Sequence, residues 1–294
     1  MLELLPCSVP RFGQPLYGGR WLIFLGGNMT LGREIPQDLA ELLQVMATDF
    51  PVILEGNLVG IYLWGSLTYG AFEEKCSDVD SIVVTTRDLD DREFSELDAW
   101  FKTQGQLNRW VQRIDMRFVI DHEFLDRASR CCGFYHYTQK LIRHGSDGNP
   151  IIWMNIAQCG VTLWGKDAKL IAPPVSVRCL NEALLLELDY LREDLNSNRG
   201  DRSDRTFTHN TYAVLTACRI LYSAHHGTLV SKEQAYTWAM ETVPNAWRSV
   251  IDAARENRRN CFGTTTPELE QNAMRFVTFV ASEVRRILEP SHQG

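Results

Sequence analysis

The sequence has little that would favour a secreted, membrane-spanning or zinc-binding protein. None of its apolar runs reaches the roughly 18 residues of a membrane span, and the amino end lacks the basic region of a signal peptide. The eight cysteines among 294 residues include no Cys-x-x-Cys pair of the kind that holds zinc. A chain of this length needs no disulfides to fold, so we expect reduced thiols and a cytoplasmic protein.

Basic residues are too few and too scattered for a surface that binds nucleic acid. The chain has 30 Lys and Arg against 37 Asp and Glu, a formal net charge of −7. Proteins that bind a duplex usually carry a basic stripe, whereas only short pairs such as Arg258-Arg259 occur here. We therefore expect neither nucleic acid nor a membrane as a partner.

The periodicity of apolar residues divides the chain into two domains, without repeats or low-complexity tracts. Helical patterns in the amino-terminal part alternate with strand patterns and cover 36–50, 91–107, 134–148 and 150–160. Five amphipathic helices follow the Pro-Pro segment at 172–177. The predicted fold class is α+β, with a mixed sheet in the domain 29–175 and an all-helical bundle over 176–294.

The first 28 residues have no periodic pattern and are interrupted by Pro and Gly. We predict that 1–28 is a loosely held N-terminal extension of uncertain order. The alternative is that the protein starts at Met29, which precedes a helix-like segment.

Signals for helix ends are clear in the carboxyl-terminal half. Ser231 is predicted as an N-cap with Gln234 in the capping-box position, and Thr266 as an N-cap followed by Pro267. Gly227 is predicted to stop the preceding helix. Lys232 then lies in the first turn of a helix, where the dipole disfavours a cation unless an anion binds there.

A Gly-Ser turn and two carboxylates lie between two apolar strand patterns. Gly65 lets the backbone turn tightly and approach a ligand, and Ser66 offers a hydroxyl and an N–H group at a predicted helix start, which suits a phosphate. Asp78 and Asp80 open the next strand, where a period of two places them on one face. Such carboxylates repel each other unless a cation such as Mg²⁺, which prefers oxygen ligands, lies between them.

Asp115, on the following strand, is a third candidate carboxylate. Three carboxylates, a Gly-Ser phosphate loop and Mg²⁺ suit the transfer of a nucleotidyl group to a hydroxyl, because the metal neutralises the triphosphate and a carboxylate orients or deprotonates the attacking group. Structural alternatives remain open: Asp78 and Asp80 as caps or edge residues, and Asp115 as a solvated residue with Asp121 and Glu123 as fallback acids.

Two segments carry a resemblance to known enzymes. Gly65-Ser66, eleven further residues and Asp-Val-Asp are similar to the pattern of the polymerase-β-like nucleotidyltransferase superfamily. The stretch 215–244 resembles the helical domain of the aminoglycoside adenylyltransferases that modify streptomycin and spectinomycin, with Arg-Ile-x-Tyr-Ser-Ala, a Gly, a Ser-Lys and a Trp-Ala-Met in the same order. The similarity covers most of residues 55–260.

The resemblance implies a Mg²⁺-dependent enzyme that moves AMP from ATP to a hydroxyl of a small molecule, an aminoglycoside or aminocyclitol, and releases pyrophosphate. It implies that Asp78 and Asp80 hold Mg²⁺ and that Asp115 is catalytic, where the family has Glu. The implied nucleotide contacts are Gly65, Ser66, Ser77 and Lys232. For three of them simpler interpretations stay open: Ser66 as a turn residue, Ser77 as a strand-start cap and Lys232 as a solvated lysine.

The chain departs from the family at three positions. His209 stands where the family has a drug-recognising acid, Tyr137 where it has a Trp, and Arg258 where it has a Tyr. Tyr137 is a candidate contact of the acceptor, although packing is the favoured role. We expect the loop acids Asp201 and Asp204 to hold the cationic groups of a drug.

Two other functions remain open at this point. The chain could be a non-catalytic nucleotide-binding protein or a toxin–antitoxin component that retains the motif. It could also be a nucleotidyltransferase that acts on a protein or on another small molecule. Turnover of ATP to pyrophosphate with a hydroxyl acceptor separates an enzyme from the non-catalytic protein, and a substrate cleft lined by acids would disfavour a protein substrate.

Overall fold

The computed structural model describes residues 35–126, 130–146, 149–197, 204–260 and 266–289. The predicted extension 1–28 and the loop residue Asp201 lie outside this part of the chain. The described residues form two compact units. The first unit comprises 35–70, 79–146 and 159–171, and the second comprises 71–78, 149–158 and the residues from 172 onwards.

A six-stranded mixed sheet forms the centre of the first unit. Its strands are β1 (Leu58–Trp64), β2 (Val79–Thr85), β3 (Ile114–Ile120), β4 (Arg130–Tyr135), β5 (Lys140–Ser146) and β6 (Val161–Gly165). They lie in the order β5-β4-β3-β2-β1-β6. Only β2 and β3 pair in parallel, while the other neighbours are antiparallel. The predicted α+β class with a mixed sheet is therefore confirmed.

Amphipathic helices accompany the sheet. They are α1 (Gln37–Leu54), α2 (Asp91–Leu107) and the short α4 (Ala168–Ile171). The helix predicted over 36–50 is confirmed, and the apolar residues at helical spacing within it are buried: Leu39, Leu42, Leu43 and Met46. Phe50 of α1 and Trp100 of α2 meet edge to face, with ring centroids 4.9 Å apart. Asp90 and Glu93 form a capping box at the start of α2.

The helix predicted over 134–148 is wrong, since this segment forms the β4–β5 hairpin. The chain reverses at residues 136–139, where the backbone N–H groups of Thr138 and Gln139 both donate to the carbonyl of Tyr135. Gln139 takes a positive φ of 54°, which interrupts a helix. Phe134 pairs with Leu141 across the hairpin and stacks on Phe101 at 3.9 Å. These long-range contacts outweigh the local helical spacing.

The second unit is helical, and its five predicted carboxyl-terminal helices are confirmed. They are α5 (Val177–Ser197), α6 (Asp204–His226), α7 (Lys232–Thr242), α8 (Arg248–Arg259) and α9 (Pro267–Leu288), with α3 (Pro150–Cys159) earlier in the chain. Helix α6 packs against α5, α7, α8 and α9. No helix in the described part of the chain is long and apolar enough to cross a membrane.

The predicted helix ends of this unit are also confirmed. Ser231 and Gln234 form a capping box at α7, and the Thr266 hydroxyl accepts a hydrogen bond from the backbone of Leu269 at α9. Gly227, with a φ of 64°, donates its N–H to the carbonyl of Ser223 and ends α6.

Candidate functional site

Gly65 lies directly against the carboxylate of Asp80 in the first unit. Trp64, at the end of β1, pairs with Asp80 of the antiparallel strand β2. Gly65 then takes a φ of 73°, and a Cβ added to it would lie 2.9 Å from Cγ of Asp80 and closer still to Oδ2. Glycine is thus required twice, by the left-handed backbone and by the neighbouring carboxylate. Gly65 was predicted to approach a ligand closely, and in the structure its backbone closely approaches Asp80 of the same chain.

The hydroxyl of Ser66 is buried and has no hydrogen-bond partner among the residues that the structure describes. Ser66 is the middle residue of a single 3₁₀ turn, Gly65–Leu67, so the predicted helix start is wrong. A turn this short leaves too few aligned peptides for a helix dipole. A buried hydroxyl without a partner costs free energy, and a ligand that bonds to it would remove that cost.

Asp80 and Asp115 are neighbours across the parallel pair of β2 and β3. The register places them directly beside each other. Residues in register on adjacent strands project to the same face of the sheet, about 4.8 Å apart along the hydrogen-bonding direction. Two of the three predicted carboxylates therefore share one face at the start of these strands.

His136 binds the carboxylate of Asp115. The backbone N–H of His136 donates to Oδ1 of Asp115 at 2.9 Å, and the ring Nδ1 lies 2.8 Å from the same oxygen. His136 belongs to the turn that joins β4 and β5, which the sequence analysis assigned to a helix. Sequence patterns therefore did not indicate that His136 would reach the strand β3.

Tyr137 lies next to His136 in the same turn, and not on a helix as its family counterpart suggested. Its side chain is 56% exposed, and its ring centroid is 5.4 Å from that of Tyr135 and 5.6 Å from that of His136. Partial burial, and then the negative charge of Asp115, raise the pKa of the Tyr137 hydroxyl. Tyr137 thus lies close to Asp115 with most of its ring accessible.

No group of three or more His, Cys, Asp and Glu side chains in the described residues is arranged to hold a metal ion. Asp78 immediately precedes β2, which begins at Val79, and Asp80 lies inside this strand. Mg²⁺ commonly takes one or two protein carboxylates and completes its ligands with substrate phosphates and water. A pair of carboxylates therefore fits an ion that arrives with a nucleotide better than a permanently bound one.

In the second unit, Ser77 lies in the loop 71–78 and contacts α8. Its side chain is buried, and its Oγ accepts a hydrogen bond from the backbone N–H of Glu73 at 2.9 Å. Nη2 of Arg258 lies 3.4 Å from the same oxygen. The Arg258 guanidinium also lies 3.6 Å from the Glu73 carboxylate. The departure noted at position 258 thus brings a cation to the predicted phosphate contact.

Lys232 is the first residue of α7, as predicted, and its Nζ lies 4.9 Å from the ring centroid of Tyr212. The neighbouring Glu233 faces α8, where Arg255 binds its carboxylate and Arg259 lies 3.5 Å away. The hydrogen bond from Arg255 holds the pKa of Glu233 below its usual value. The carboxylate closest in sequence to Lys232 is therefore bound by arginines of another helix.

Two acids of α5 contact residues of α6. Nδ1 of His209 lies 2.5 Å from Oδ2 of Asp194, whose side chain is only 15% exposed. The Tyr212 hydroxyl lies 3.4 Å from Glu187. The backbone of Asp204 begins α6, so Asp204 belongs to a helix and not to the predicted loop. The sequence analysis did not select Glu187 or Asp194, although they lie seven residues apart on one helix.

Comparisons with known proteins point to one family. Residues 171–283 match the model of the family described as "Aminoglycoside adenylyltransferase, C-terminal domain". A spectinomycin 9-adenylyltransferase from Campylobacter jejuni is 20% identical over 270 residues, which are 87% of this chain and 97% of that protein. An aminoglycoside (3'') (9) adenylyltransferase from Klebsiella pneumoniae is 25% identical over 252 residues, which are 80% of this chain and 90% of that protein.

A solved structure has the same fold. The spectinomycin adenyltransferase AAD(9) from Enterococcus faecialis, determined with ATP and spectinomycin, superposes with a TM-score of 0.64 and 17% identity. The match covers 82% of this chain and 98% of that one. The relatives align with most of the chain, and the family model matches part of its helical half. Both findings agree with the family that the sequence motifs resemble. Over most of its length the chain is similar to aminoglycoside adenylyltransferases, and its residues 171–283 match the model of their C-terminal domain.

Proposed function

We propose that this enzyme transfers AMP from ATP to a hydroxyl of an aminocyclitol or aminoglycoside antibiotic and releases pyrophosphate. The observation that carries the proposal is the buried hydroxyl of Ser66, which has no partner among the described residues and follows the contact of Gly65 with Asp80. A phosphate oxygen would satisfy this hydroxyl. The names of the relatives, which are spectinomycin and aminoglycoside adenylyltransferases, support the choice of donor and acceptor.

We assign the phosphates of the nucleotide to the predicted contacts. Ser66 donates its hydroxyl to a phosphate, at a turn that Gly65 makes possible. Ser77 and Lys232 are further phosphate contacts, and a bound anion favours the position of Lys232 at the start of a helix. Asp78 and Asp80 would hold Mg²⁺, which, when bound, neutralises charge on the triphosphate.

We propose that Asp115 is the general base that accepts the proton of the acceptor hydroxyl. The hydroxyl oxygen attacks the α-phosphorus, the bond to the pyrophosphate oxygen breaks, and the proton moves to the Asp115 carboxylate. His136 holds one oxygen, Oδ1, through two contacts. The other oxygen, Oδ2, is then the one that we expect to face the substrate, so that the side chain acts in a fixed orientation.

Several groups are suited to a cationic acceptor. Removing ammonium groups from water without anionic partners is costly, so the acceptor needs carboxylates. Asp201 and Asp204 stay our prediction for this role, and the contacts of Glu187 and Asp194 with α6 add two further acids. Tyr137, more than half exposed beside Asp115, offers a ring face to a sugar. Because the reaction consumes ATP, we expect the enzyme in the cytoplasm.

One assay tests the proposed function directly. The purified protein is incubated with ATP, Mg²⁺ and a panel of aminoglycosides and aminocyclitols, and the product masses and pyrophosphate are measured. We expect one adenylyl group on one drug and an equal amount of pyrophosphate. ATP binding without adenylation of any small molecule would contradict the proposed acceptor, and an absence of ATP binding would contradict the entire proposal.

A further inference from the structure

Arg258 is a largely buried cation beside the predicted phosphate contact Ser77. Its side chain is 13% exposed, although it lies in the last turn of α8, and it reaches the loop 71–78. Nη2 lies 3.4 Å from Oγ of Ser77, and Nε lies 3.6 Å from Oε1 of Glu73. The next residue, Arg259, contacts Glu233 and Glu256 instead.

The contacts of Arg258 with this loop are long. Charge-assisted hydrogen bonds of a guanidinium to an anion are typically about 2.7–2.9 Å. The Glu73 carboxylate is 46% exposed, and ion pairs with exposed carboxylates contribute little to stability. Arginine offers five N–H donors in a planar fork that matches two oxygens of a phosphate. A phosphate would therefore bind this guanidinium more strongly than Glu73 does.

The loop geometry keeps the three groups together. The Ser77 hydroxyl accepts the N–H of Glu73, and the Ser77 N–H donates to the Glu73 carbonyl at 2.8 Å. Both contacts use main-chain atoms of Glu73, so they hold the turn whether or not the Glu73 carboxylate is engaged. The carboxylate can thus leave Arg258 without disturbing Ser77.

We propose that Arg258 binds the phosphates of ATP and that Glu73 holds the guanidinium while no nucleotide is present. Binding of ATP exchanges one anionic partner of Arg258 for another. The inference rests on the proposed function, because it requires ATP as the substrate. It adds a nucleotide-binding residue, and a competing carboxylate, at a position where this chain departs from its family.

Calorimetric titration with ATP and with adenosine, both in Mg²⁺ buffer, tests the role of Arg258. Arg258→Met should weaken ATP binding by about tenfold or more, because charge-assisted hydrogen bonds to phosphate are lost. Adenosine, which has no phosphate, should bind to the variant as it does to the wild type. Arg259→Met removes the same charge one residue away and should change ATP affinity by less than about twofold, since exposed charges are screened. Thermal unfolding verifies that each variant is folded.

Glu73→Gln tests the exchange. In the wild-type background it should tighten ATP binding by about two- to fivefold, the size of a weak ion pair, and in the Arg258→Met background it should have no effect. Equal tightening in both backgrounds would overturn the exchange, because Glu73 would then act only through its charge.

Equal losses of ATP affinity in Arg258→Met and Arg259→Met, or a parallel loss of adenosine binding, would overturn the role of Arg258. A wild-type protein that binds no ATP would remove the proposed function together with this inference. Normal ATP binding by Arg258→Met would remove the inference alone.

Discussion

His136 contacts the carboxylate of Asp115 twice through a single oxygen. Its backbone N–H donates to Oδ1 at 2.9 Å, and its ring Nδ1 lies 2.8 Å from the same atom. The backbone contact survives any substitution at position 136, whereas the ring contact does not. The two contributions to the orientation of Asp115 are therefore separable by mutation.

Asp115→Asn should lower kcat by about 10²- to 10⁴-fold, the usual contribution of a general base. His136→Ala should lower kcat less, by about 10- to 100-fold, because Asp115 keeps its charge and the backbone contact but loses part of its orientation. Steady-state kinetics with saturating ATP measure both effects. His136→Asn, which can place an amide nitrogen near the position of Nδ1, should recover part of the loss. A His136→Ala enzyme with wild-type kcat would show that the contact is only structural.

Asp78→Asn and Asp80→Asn should each lower the adenylation rate by roughly 10²- to 10³-fold, because each removes a charged ligand of the proposed Mg²⁺. Chelation of divalent ions by EDTA should abolish turnover of the wild type, and added Mg²⁺ should restore it. Thermal unfolding without nucleotide verifies that each variant is folded. Turnover of either variant near the wild-type rate would contradict the metal assignment.

Ser66→Ala should weaken ATP binding without destabilising the free protein. The variant removes a buried hydroxyl that has no partner among the described residues, and deletion of such a group is neutral or stabilising. We therefore expect an unchanged or higher melting temperature without ATP and a raised KM for ATP. Ser282→Ala, in the exposed part of α9, is the control and should change neither quantity. A lower melting temperature for Ser66→Ala would indicate that the hydroxyl has a structural partner.

Lys232→Ala should weaken ATP binding by about 10- to 150-fold, since a charge-assisted contact with phosphate is worth roughly 1.5–3 kcal/mol. The free energy of unfolding should change little, because the capping box of Ser231 and Gln234 that starts α7 stays intact. Calorimetry and chemical denaturation measure the two quantities. An unchanged ATP affinity would show that Lys232 does not bind the phosphates and contributes only its contact with the Tyr212 ring.

Local patterns predicted most helices because their signals lie within one segment. The capping box of Ser231 and the positive φ of Gly227 follow from a few neighbouring residues. The β4–β5 hairpin was mistaken for a helix because its stability depends on partners distant in sequence. The stacking of Phe134 on Phe101 is one such contact.

The candidate site was predictable in its residue types and not in its geometry. The spacing of Gly65, Ser66, Asp78 and Asp80 suggested a phosphate and a cation. The proximity of Asp80 and Asp115 depends on the register of two parallel strands. The contact of His136 with Asp115 depends on a turn that lies twenty-one residues further along the chain. Sequence periodicity alone fixes neither the strand register nor the end point of a turn.

We predict an acceptor preference from His209, which stands where the resemblance implies a drug-recognising acid. In this chain His209 lies 2.5 Å from Asp194, so that the nearest carboxylate is already bound to a protein side chain. The two guanidinium groups of streptomycin need bidentate carboxylates, whereas spectinomycin is smaller and less cationic. We therefore expect a higher kcat/KM for spectinomycin than for streptomycin.

Substitutions of the acidic residues show which of them bind the cationic groups of the drug. Asp201→Asn combined with Asp204→Asn should lower the activity that is present, if these residues hold the drug. Asp194→Asn tests the alternative source on α5 in the same assay. His209→Asp restores the family's acid beside Asp194, and it should raise the activity with streptomycin relative to spectinomycin, because a second carboxylate becomes available to a guanidinium. A wild-type preference for streptomycin, or adenylation of neither drug while ATP still binds, would contradict this account of the acceptor and leave only the nucleotide half of the proposed function.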